Sequence, residues 1–192
     1  ACWEKIQAEM AENKVFIKSY KDLTDLEKSF VVKYFDDEVE SNVIPILLNS
    51  HTAMPYLRDK SLYIGVAMRR KSTPKEVNFA IIEVPSRFSG RFVLLPTEND
   101  EKHVILLEDV IIHNLPHIFS YFKMDEFEAH CFKVTKDAEF DLDNDIKTTL
   151  SEKIEKAIKS RRKGKPTRFI FDKDMDKKLV EFLIKKLKLS QR

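Results

Sequence analysis

The sequence predicts an α+β fold, with a mixed, largely antiparallel sheet packed against amphipathic helices and a C-terminal strand-helix-strand-helix unit. The first observation is a series of short β-branched and aromatic runs in the middle of the chain, joined by connections too short for a crossover helix. The second is the alternation of strand-like and helix-like periodicity after residue 126. The third is composition, because 192 residues with 43% hydrophobic side chains and only 3 Gly fit one folded domain.

Hydrophobic periodicity and turn residues together divide the chain into predicted helices and extended segments. The predicted helices are residues 1–11, 24–41, 107–119, 143–162 and 176–187. The predicted strands and extended segments are residues 15–17, 44–48, 61–70, 77–84, 91–95, 103–106, 127–135 and 167–172.

Capping and turn residues mark the boundaries in the first half of the chain. Thr24 and Glu27 have capping-box spacing, in which each side chain accepts a hydrogen bond from a backbone N–H of the other residue. Pro45 stops any helix and favours an extended segment. Pro74 and Gly90 lie in short turns between strand-like runs, and such connections favour antiparallel neighbours.

The helices after residue 106 carry apolar stripes on one face. Pro116 is expected to end or bend the first of them. In the next helix Ile146 and Ile154 belong to one stripe, and Leu179 and Leu183 do the same in the last helix. Each helix is therefore predicted to pack against the sheet through that stripe.

Composition excludes several classes of protein. No apolar run approaches the roughly 18 residues of a membrane span, and no secretory signal is visible. Cys2 and Cys131 form no metal-binding or disulfide framework, which favours a reducing, cytoplasmic setting. Residues 131–192 hold 18 Lys and Arg against 11 Asp and Glu, although the net charge of the chain is only +2. The start at Ala1 favours a piece of a longer protein, or a processed N-terminus.

One acidic segment superficially copies a calcium loop. Asp141, Asp143 and Asp145 have the spacing of the first ligands, and Glu152 stands at the twelfth position. The sixth position requires Gly for its sharp turn, but Ile146 occupies it. We therefore interpret these residues as acids that complement the dipole at a helix N-terminus.

Two further pairs have simple structural interpretations. His113 and His117 have the spacing of a zinc-binding helix, but Pro116 lies between them and the sequence near them offers no completing ligand pattern. Glu108 and Asp109 are adjacent, so they do not share a helix face, and acids are common at helix starts. Neither pair is predicted to be catalytic.

The sequence contains no loop of the kind that cradles phosphate. It has no GxxxxGK[ST] or GxGxxG pattern, and its 3 glycines are widely separated. Arg87 and Arg91 flank a turn where they could grip a phosphate, but a solvated turn is the favoured interpretation.

The strongest charge feature is a basic turn in the C-terminal third. Residues 159–168 hold six cations and no acid, with Gly164 placed to end the helix in the left-handed conformation. Cations favour a helix C-terminus for electrostatic reasons alone. The same cations, with Lys133 and Lys136, would also attract a polyanion. Both interpretations stay open, and a stand-alone polyanion- or nucleic-acid-binding module remains an alternative function.

An ordered set of short motifs resembles the middle, or head, domain of the phosphohistidine type of bacterial polyphosphate kinase. The motifs are Val84-Pro85, Arg91-Phe92-Val93-Leu94-Leu95-Pro96, Leu107-Glu108-Asp109-Val110-Ile111, Asn114-Leu115, Phe132-Lys133-Val134-Thr135-Lys136-Asp137-Ala138 and Arg161-Arg162-Lys163-Gly164. Their order and spacing agree over residues 23–189, which makes 21–192 the expected domain and 1–20 the tail of a preceding helical domain. The family usually has Arg where this chain has Lys133 or Lys136, so charge is kept but bidentate geometry is not.

The resemblance implies that the full-length protein reversibly transfers the terminal phosphate of ATP to inorganic polyphosphate, with magnesium, through a phosphorylated histidine. In the family that histidine and the main phosphate-binding arginines lie in C-terminal domains that this sequence does not contain. None of the five histidines here matches it. We therefore predict no catalytic, cofactor-binding or metal-binding residue in this chain, no cofactor bound to it, and no kinase activity for it alone.

The resemblance also implies what this domain contributes to the whole protein. Domains of this type contribute dimer contacts and part of the wall of the active-site tunnel. Polyphosphate contacts are accordingly expected at Lys133, Lys136, Arg161, Arg162 and Lys163. The implied partners are the other domains of the same polypeptide, a second copy of it and inorganic polyphosphate. The implied location is the bacterial cytoplasm, with membrane association of the full-length enzyme as a further possibility.

Overall fold

The computed structural model describes residues 2–51, 53–136 and 166–189. The strands are β1 (Val15–Lys18), β2 (Pro45–Leu48), β3 (Leu62–Arg70), β4 (Thr73–Glu83), β5 (Phe92–Leu95), β6 (Lys102–Leu106), β7 (Glu126–Lys136) and β8 (Pro166–Phe171). The α-helices are α1 (Cys2–Glu12), α2 (Asp25–Tyr34), α3 (Ser86–Ser89), α4 (Leu107–His113), α5 (Leu115–Ile118) and α6 (Lys177–Leu187). A π-helical turn, Phe35–Val39, and 3₁₀ turns at Glu40–Asn42 and Ser120–Phe122 complete the elements.

The structure confirms the predicted α+β class. Its strands form two sheets, where the sequence predicts one. The larger sheet is antiparallel throughout, with the order β2-β4-β3-β7-β8. The smaller sheet has the order β1-β6-β5 and is mixed, because β1 runs parallel to β6 while β5 is antiparallel to it. Strand β1 lies inside the predicted tail at residues 1–20, yet it pairs with the sheet of the domain.

The C-terminal strands pair directly with each other. Phe132 of β7 lies opposite Phe171 of β8, and Val134 lies opposite Phe169, in antiparallel register. The strand-helix-strand order in the sequence therefore does not produce a parallel crossover unit. The predicted helix over 143–162, the calcium-like acids and the basic turn at Gly164 lie outside the described residues.

The larger sheet is apolar on both faces, so it has a core on each side. Ile64 and Val66 of β3 belong to the core shared with α2, α4 and the smaller sheet. Tyr63, which precedes Ile64 and so points to the opposite face, belongs to the core beneath α6, where Leu179 and Leu183 are buried. Strands buried on both faces are held between packed layers.

The capping box at α2 is confirmed. Thr24 Oγ1 accepts a hydrogen bond from the Glu27 N–H at 3.3 Å, and Glu27 accepts one from the Thr24 N–H at 2.8 Å. The other Glu27 oxygen lies 2.6 Å from Nδ1 of His103 on β6. Burial alone raises the pKa of Glu27, but the bonds from Thr24 and His103 outweigh it and lower the pKa overall. This carboxylate therefore ties α2 to the smaller sheet.

Two predicted helices are interrupted in the structure, although the apolar residues in each keep helical spacing throughout. The helix predicted over 24–41 is α-helical only to Tyr34 and then continues as the π-helical and 3₁₀ turns. The helix predicted over 107–119 is interrupted at Asn114, whose side-chain amide donates to the Val110 carbonyl at 2.9 Å. Pro116 lies in the short helix that follows, consistent with the predicted break. No described helix is long and apolar enough to cross a bilayer.

Candidate anion-binding cleft

A cleft of about 560 Å³ opens where β3 begins and β4 ends. One wall is the segment 56–63, which leads into β3, and another is the turn 83–88, which leads out of β4. The 3₁₀ turn after α2 contributes Ser41 and Asn42, and β7 contributes Lys133. We call this volume the basic cleft, because cationic side chains outnumber acidic ones on its walls.

Five cations and two acids line the basic cleft. The cations are Arg58, Lys60, Arg87, Arg91 and Lys133, and the acids are Asp59 and Glu83. Among the described residues, ion pairs engage two of the five cations, Arg58 and Arg91. No ion pair within the described parts of the chain engages Lys60, Arg87 or Lys133.

Arg91 forms the tightest ion pair at the basic cleft. Its guanidinium donates to Glu108 through Nη2 at 2.5 Å and through Nε at 3.1 Å. The hydrogen bonds to Glu108 raise the pKa of Arg91, and Glu108 itself is only 5% exposed. Because this charge is already balanced, Arg91 acts as a fixed part of the wall.

The segment before β3 is held by backbone contacts at both ends. The Arg58 N–H donates to the Tyr63 hydroxyl at 2.7 Å, and Arg58 Nε lies 3.7 Å from a Glu83 oxygen. Burial raises the pKa of Tyr63 to about 12, so this hydroxyl stays neutral. Lys60 adopts a left-handed conformation with φ of 60°, and its N–H donates to the Val134 carbonyl at 3.0 Å. The side chain of Lys60 is thereby placed at the cleft beside β7.

The two predicted lysines of β7 take different positions. Strand alternation puts Lys133 on the face opposite Phe132 and Val134, where it lines the basic cleft. Lys136 follows a register shift, donates from its backbone N–H to Asp59 at 2.8 Å, and does not line the cleft.

The ammonium of Lys136 instead supports an aromatic wall residue. Its Nζ lies 4.0 Å from the ring centroid of Tyr56, which does line the cleft. Burial lowers the pKa of Lys136, while nearby Asp59 acts in the opposite direction. The other predicted contacts, Arg161, Arg162 and Lys163, lie outside the described residues.

Three cleft residues had no strong signal in the sequence. Arg58 and Lys60 lie in a short Arg-Asp-Lys segment directly before a predicted strand. That position at a strand end is the one feature of the sequence that could have indicated a site. The sequence favours a solvated turn around Arg87. Its side chain is exposed, but the fold places it on the same cleft as Lys133.

The adjacent acids Glu108 and Asp109 occupy different environments. Glu108 pairs with Arg91, whereas burial raises the pKa of Asp109 to about 6. The Tyr20 N–H, 3.5 Å from Asp109 Oδ1, lowers this pKa, and the negative charges of Glu108 and Asp172 raise it further. Burial, reinforced by the same acids, also raises the pKa of the Cys131 thiol far above its usual range. A protonated thiol is a poor nucleophile, as expected for a core cysteine.

The two histidines with zinc-like spacing separate in the structure. His113 is partly buried, and burial lowers its pKa. His117 is exposed and lies near Asp36 and Glu40, which come from the π-helical region. Among the described residues, the two histidines therefore do not form a common ligand set, as predicted from the sequence.

The basic cleft suits phosphate groups better than a metal ion. Its Lys and Arg side chains, three of them without an ion pair among the described residues, match the charge of phosphate oxygens. A magnesium ion needs oxygen ligands, but Glu83 is paired with Arg58, and none of the described cleft residues belongs to a cluster of three metal-ligating side chains. The magnesium that the family resemblance implies is thus not provided for by the cleft residues alone.

Comparison with known proteins gives one consistent result. The family described as polyphosphate kinase middle domain matches residues 26–192. The chain is 33% identical over 193 residues to polyphosphate kinase of Salmonella typhimurium, with 98% of the chain and 28% of that protein covered. It is 30% identical over 192 residues to polyphosphate kinase of Vibrio parahaemolyticus, with 98% and 27% covered. The chain thus spans about a quarter of the length of these relatives.

A solved structure has the same fold. The crystal structure of polyphosphate kinase from Porphyromonas gingivalis superimposes with a TM-score of 0.76 at 21% sequence identity. The match covers 98% of this chain and 26% of that chain.

Proposed function

The chain belongs to the polyphosphate kinase middle-domain family, and from this premise we propose that it is the non-catalytic middle domain of a polyphosphate kinase. The complete protein reversibly transfers the terminal phosphate of ATP to inorganic polyphosphate in the bacterial cytoplasm. Catalysis, ATP binding and magnesium binding belong to its other domains. Residues 1–20 are the end of the preceding helical domain, and β1 is the strand through which they join this one.

Within that protein, the basic cleft contacts the polyphosphate chain. The observation that carries this assignment is the convergence of Lys60, Arg87 and Lys133 on one cleft without carboxylate partners among the described residues. Polyphosphate carries about one negative charge per phosphate, so one extended chain can meet several cations and release their counterions. Arg91 and Arg58, already neutralised, keep the walls in place.

The predicted contacts outside the cleft belong to the same proposal. Arg161, Arg162 and Lys163 contact the same polyphosphate chain in this proposal, and Lys136 acts by holding Tyr56 at the cleft. Dimer contacts and membrane association of the full-length enzyme remain part of this proposal, supported by the family assignment alone.

Binding of sized polyphosphate to the 192-residue chain tests the cleft. Affinity is measured by calorimetry at several salt concentrations for the parent chain, for Arg87→Ala and for Lys133→Ala. Each substitution is expected to weaken binding and to lower the slope of log affinity against log salt by about one, because each removes one cation from the contact. Lys75→Ala is the matched control, since Lys75 is exposed on β4 and does not line the cleft.

The same series separates the proposal from a general polyanion-binding module. RNA and DNA of equal charge are measured beside polyphosphate. A cleft that serves polyphosphate is expected to lose affinity for it in Arg87→Ala and Lys133→Ala but not in Lys75→Ala. Equal losses in all three variants, for all three polymers, would show diffuse charge attraction and contradict the assignment of the cleft.

A further inference from the structure

Three side chains with metal-binding donors meet at the start of the 3₁₀ turn that contributes to the cleft. Asp36 comes from the π-helical turn, Glu40 begins the 3₁₀ turn, and His117 comes from α5. One donor atom from each lies within 4.8 Å of the other two, and Glu40 Oε1 lies 3.0 Å from His117 Nε2. We call this set the His117 cluster.

The local fold orients the donors of the His117 cluster. The imidazole meets the fully buried ring of Phe35 edge-on, with centroids 6.1 Å apart and planes at 77°. The Glu40 N–H bonds to the Phe35 carbonyl, which closes the π-helical turn. Residues four apart in such a turn lie on one side of it, so Asp36 and Glu40 both project toward the imidazole.

The surrounding charge favours a cation. Asp36, Asp37, Glu38 and Glu40 place four carboxylates within five residues. In the described parts of the chain, the ion-pair partner found for this group is His117, which is charged only when protonated. A neutral imidazole leaves the segment strongly negative, and a divalent cation would offset that charge.

We propose that the His117 cluster binds a divalent transition-metal ion of the zinc type, through His117 Nε2 and one oxygen each from Asp36 and Glu40. An imidazole among the donors favours zinc-like ions over magnesium and calcium, which prefer oxygen ligands only. Zinc–ligand distances of about 2.0–2.2 Å require donors roughly 3.3 Å apart. Glu40 and His117 already satisfy this spacing, and rotation of the exposed Asp36 carboxylate closes the remaining gap.

The ion would join two elements that are distant in sequence. It fastens the turn at Glu40–Asn42 to α5, and Ser41 and Asn42 of that turn line the basic cleft. Water completes the coordination, because all three protein ligands are exposed. This inference does not depend on the proposed polyphosphate role, since it concerns a different ligand on different side chains.

Calorimetric titration of the metal-free 192-residue chain with zinc chloride tests the site. We expect about one ion bound per chain at this site, and a dissociation constant raised roughly tenfold or more in His117→Gln and in Glu40→Gln. His113→Gln is the matched control, because it changes the same residue type on the neighbouring helix α4 without touching the cluster. This control should bind zinc as the parent chain does.

Two results would overturn the proposal. One is a parent chain that binds no zinc, and the other is zinc binding that His117→Gln leaves unchanged, since the ion would then lie elsewhere. Thermal unfolding gives an independent readout, because an ion bound to the folded chain raises its melting temperature. Saturating zinc should raise it in the parent chain and in His113→Gln but not in His117→Gln.

Discussion

Replacing Asp109 with Asn should stabilise the chain at neutral pH and have little effect in acid. Burial raises the pKa of Asp109 from 3.8 to about 6, even though the Tyr20 N–H opposes the shift. The folded chain therefore holds this proton more tightly than the unfolded chain. The free energy of unfolding then falls as the pH rises from about 4 to 6, and a shift of about two units corresponds to roughly 3 kcal/mol.

Asp109→Asn removes the ionisation while keeping the shape and an acceptor for the Tyr20 N–H. At pH 7.5 we expect the free energy of unfolding to rise by about 2–3 kcal/mol, and at pH 3.5 to stay nearly unchanged. Urea unfolding at several pH values measures both. Glu108→Gln is the contrasting control, because it breaks the pair with Arg91 and should destabilise the chain at pH 7.5. A gain in Asp109→Asn that is equal at both pH values, or a loss at pH 7.5, would refute the reasoning.

Two other substitutions test the packing of the fold. A Cβ at Gly65 would lie 3.0 Å from Leu179 Cδ2 and 3.4 Å from Met175 Cε. Gly65→Val should therefore lower the free energy of unfolding by about 1–3 kcal/mol in urea unfolding. Unchanged stability would contradict the tight contact between β3 and α6. Thr24→Ala removes the capping-box acceptor at α2 and should cost about 1 kcal/mol by the same measurement, whereas Thr24→Ser should restore most of it.

Local signals in the sequence predicted local structure well. The Thr24 and Glu27 spacing located the start of α2, because a capping box involves only residues within one turn. The sequence predicts that β4 begins at Val77, whereas the strand begins at Thr73. Pro74 can stand near a strand end when its missing N–H is not needed there. Such errors concern boundaries and leave the order of elements intact.

The pairing of segments that are distant in the chain is harder to predict from the sequence. Tyr63 and Ile64 are both buried, so β3 has no polar face to show which partners lie on either side. The division into two sheets follows from tertiary pairing, such as that of Val15 with Lys102, which no local pattern encodes. Likewise His117 was paired in the sequence with His113, four residues away, but the fold brings it to Glu40, 77 residues away.

The distribution of partners among the cleft cations gives the strongest argument that this surface has a ligand. Arg91 and Arg58 are held by carboxylates, as expected for cations that serve the fold. Lys60, Arg87 and Lys133 converge beside them without such partners among the described residues, and mutual repulsion of like charges gains the folded state nothing. The backbone bond from Lys60 to Val134 fixes one of them at the cleft in a left-handed conformation. A polyanion that spans all three would offset their mutual repulsion, which folding alone does not.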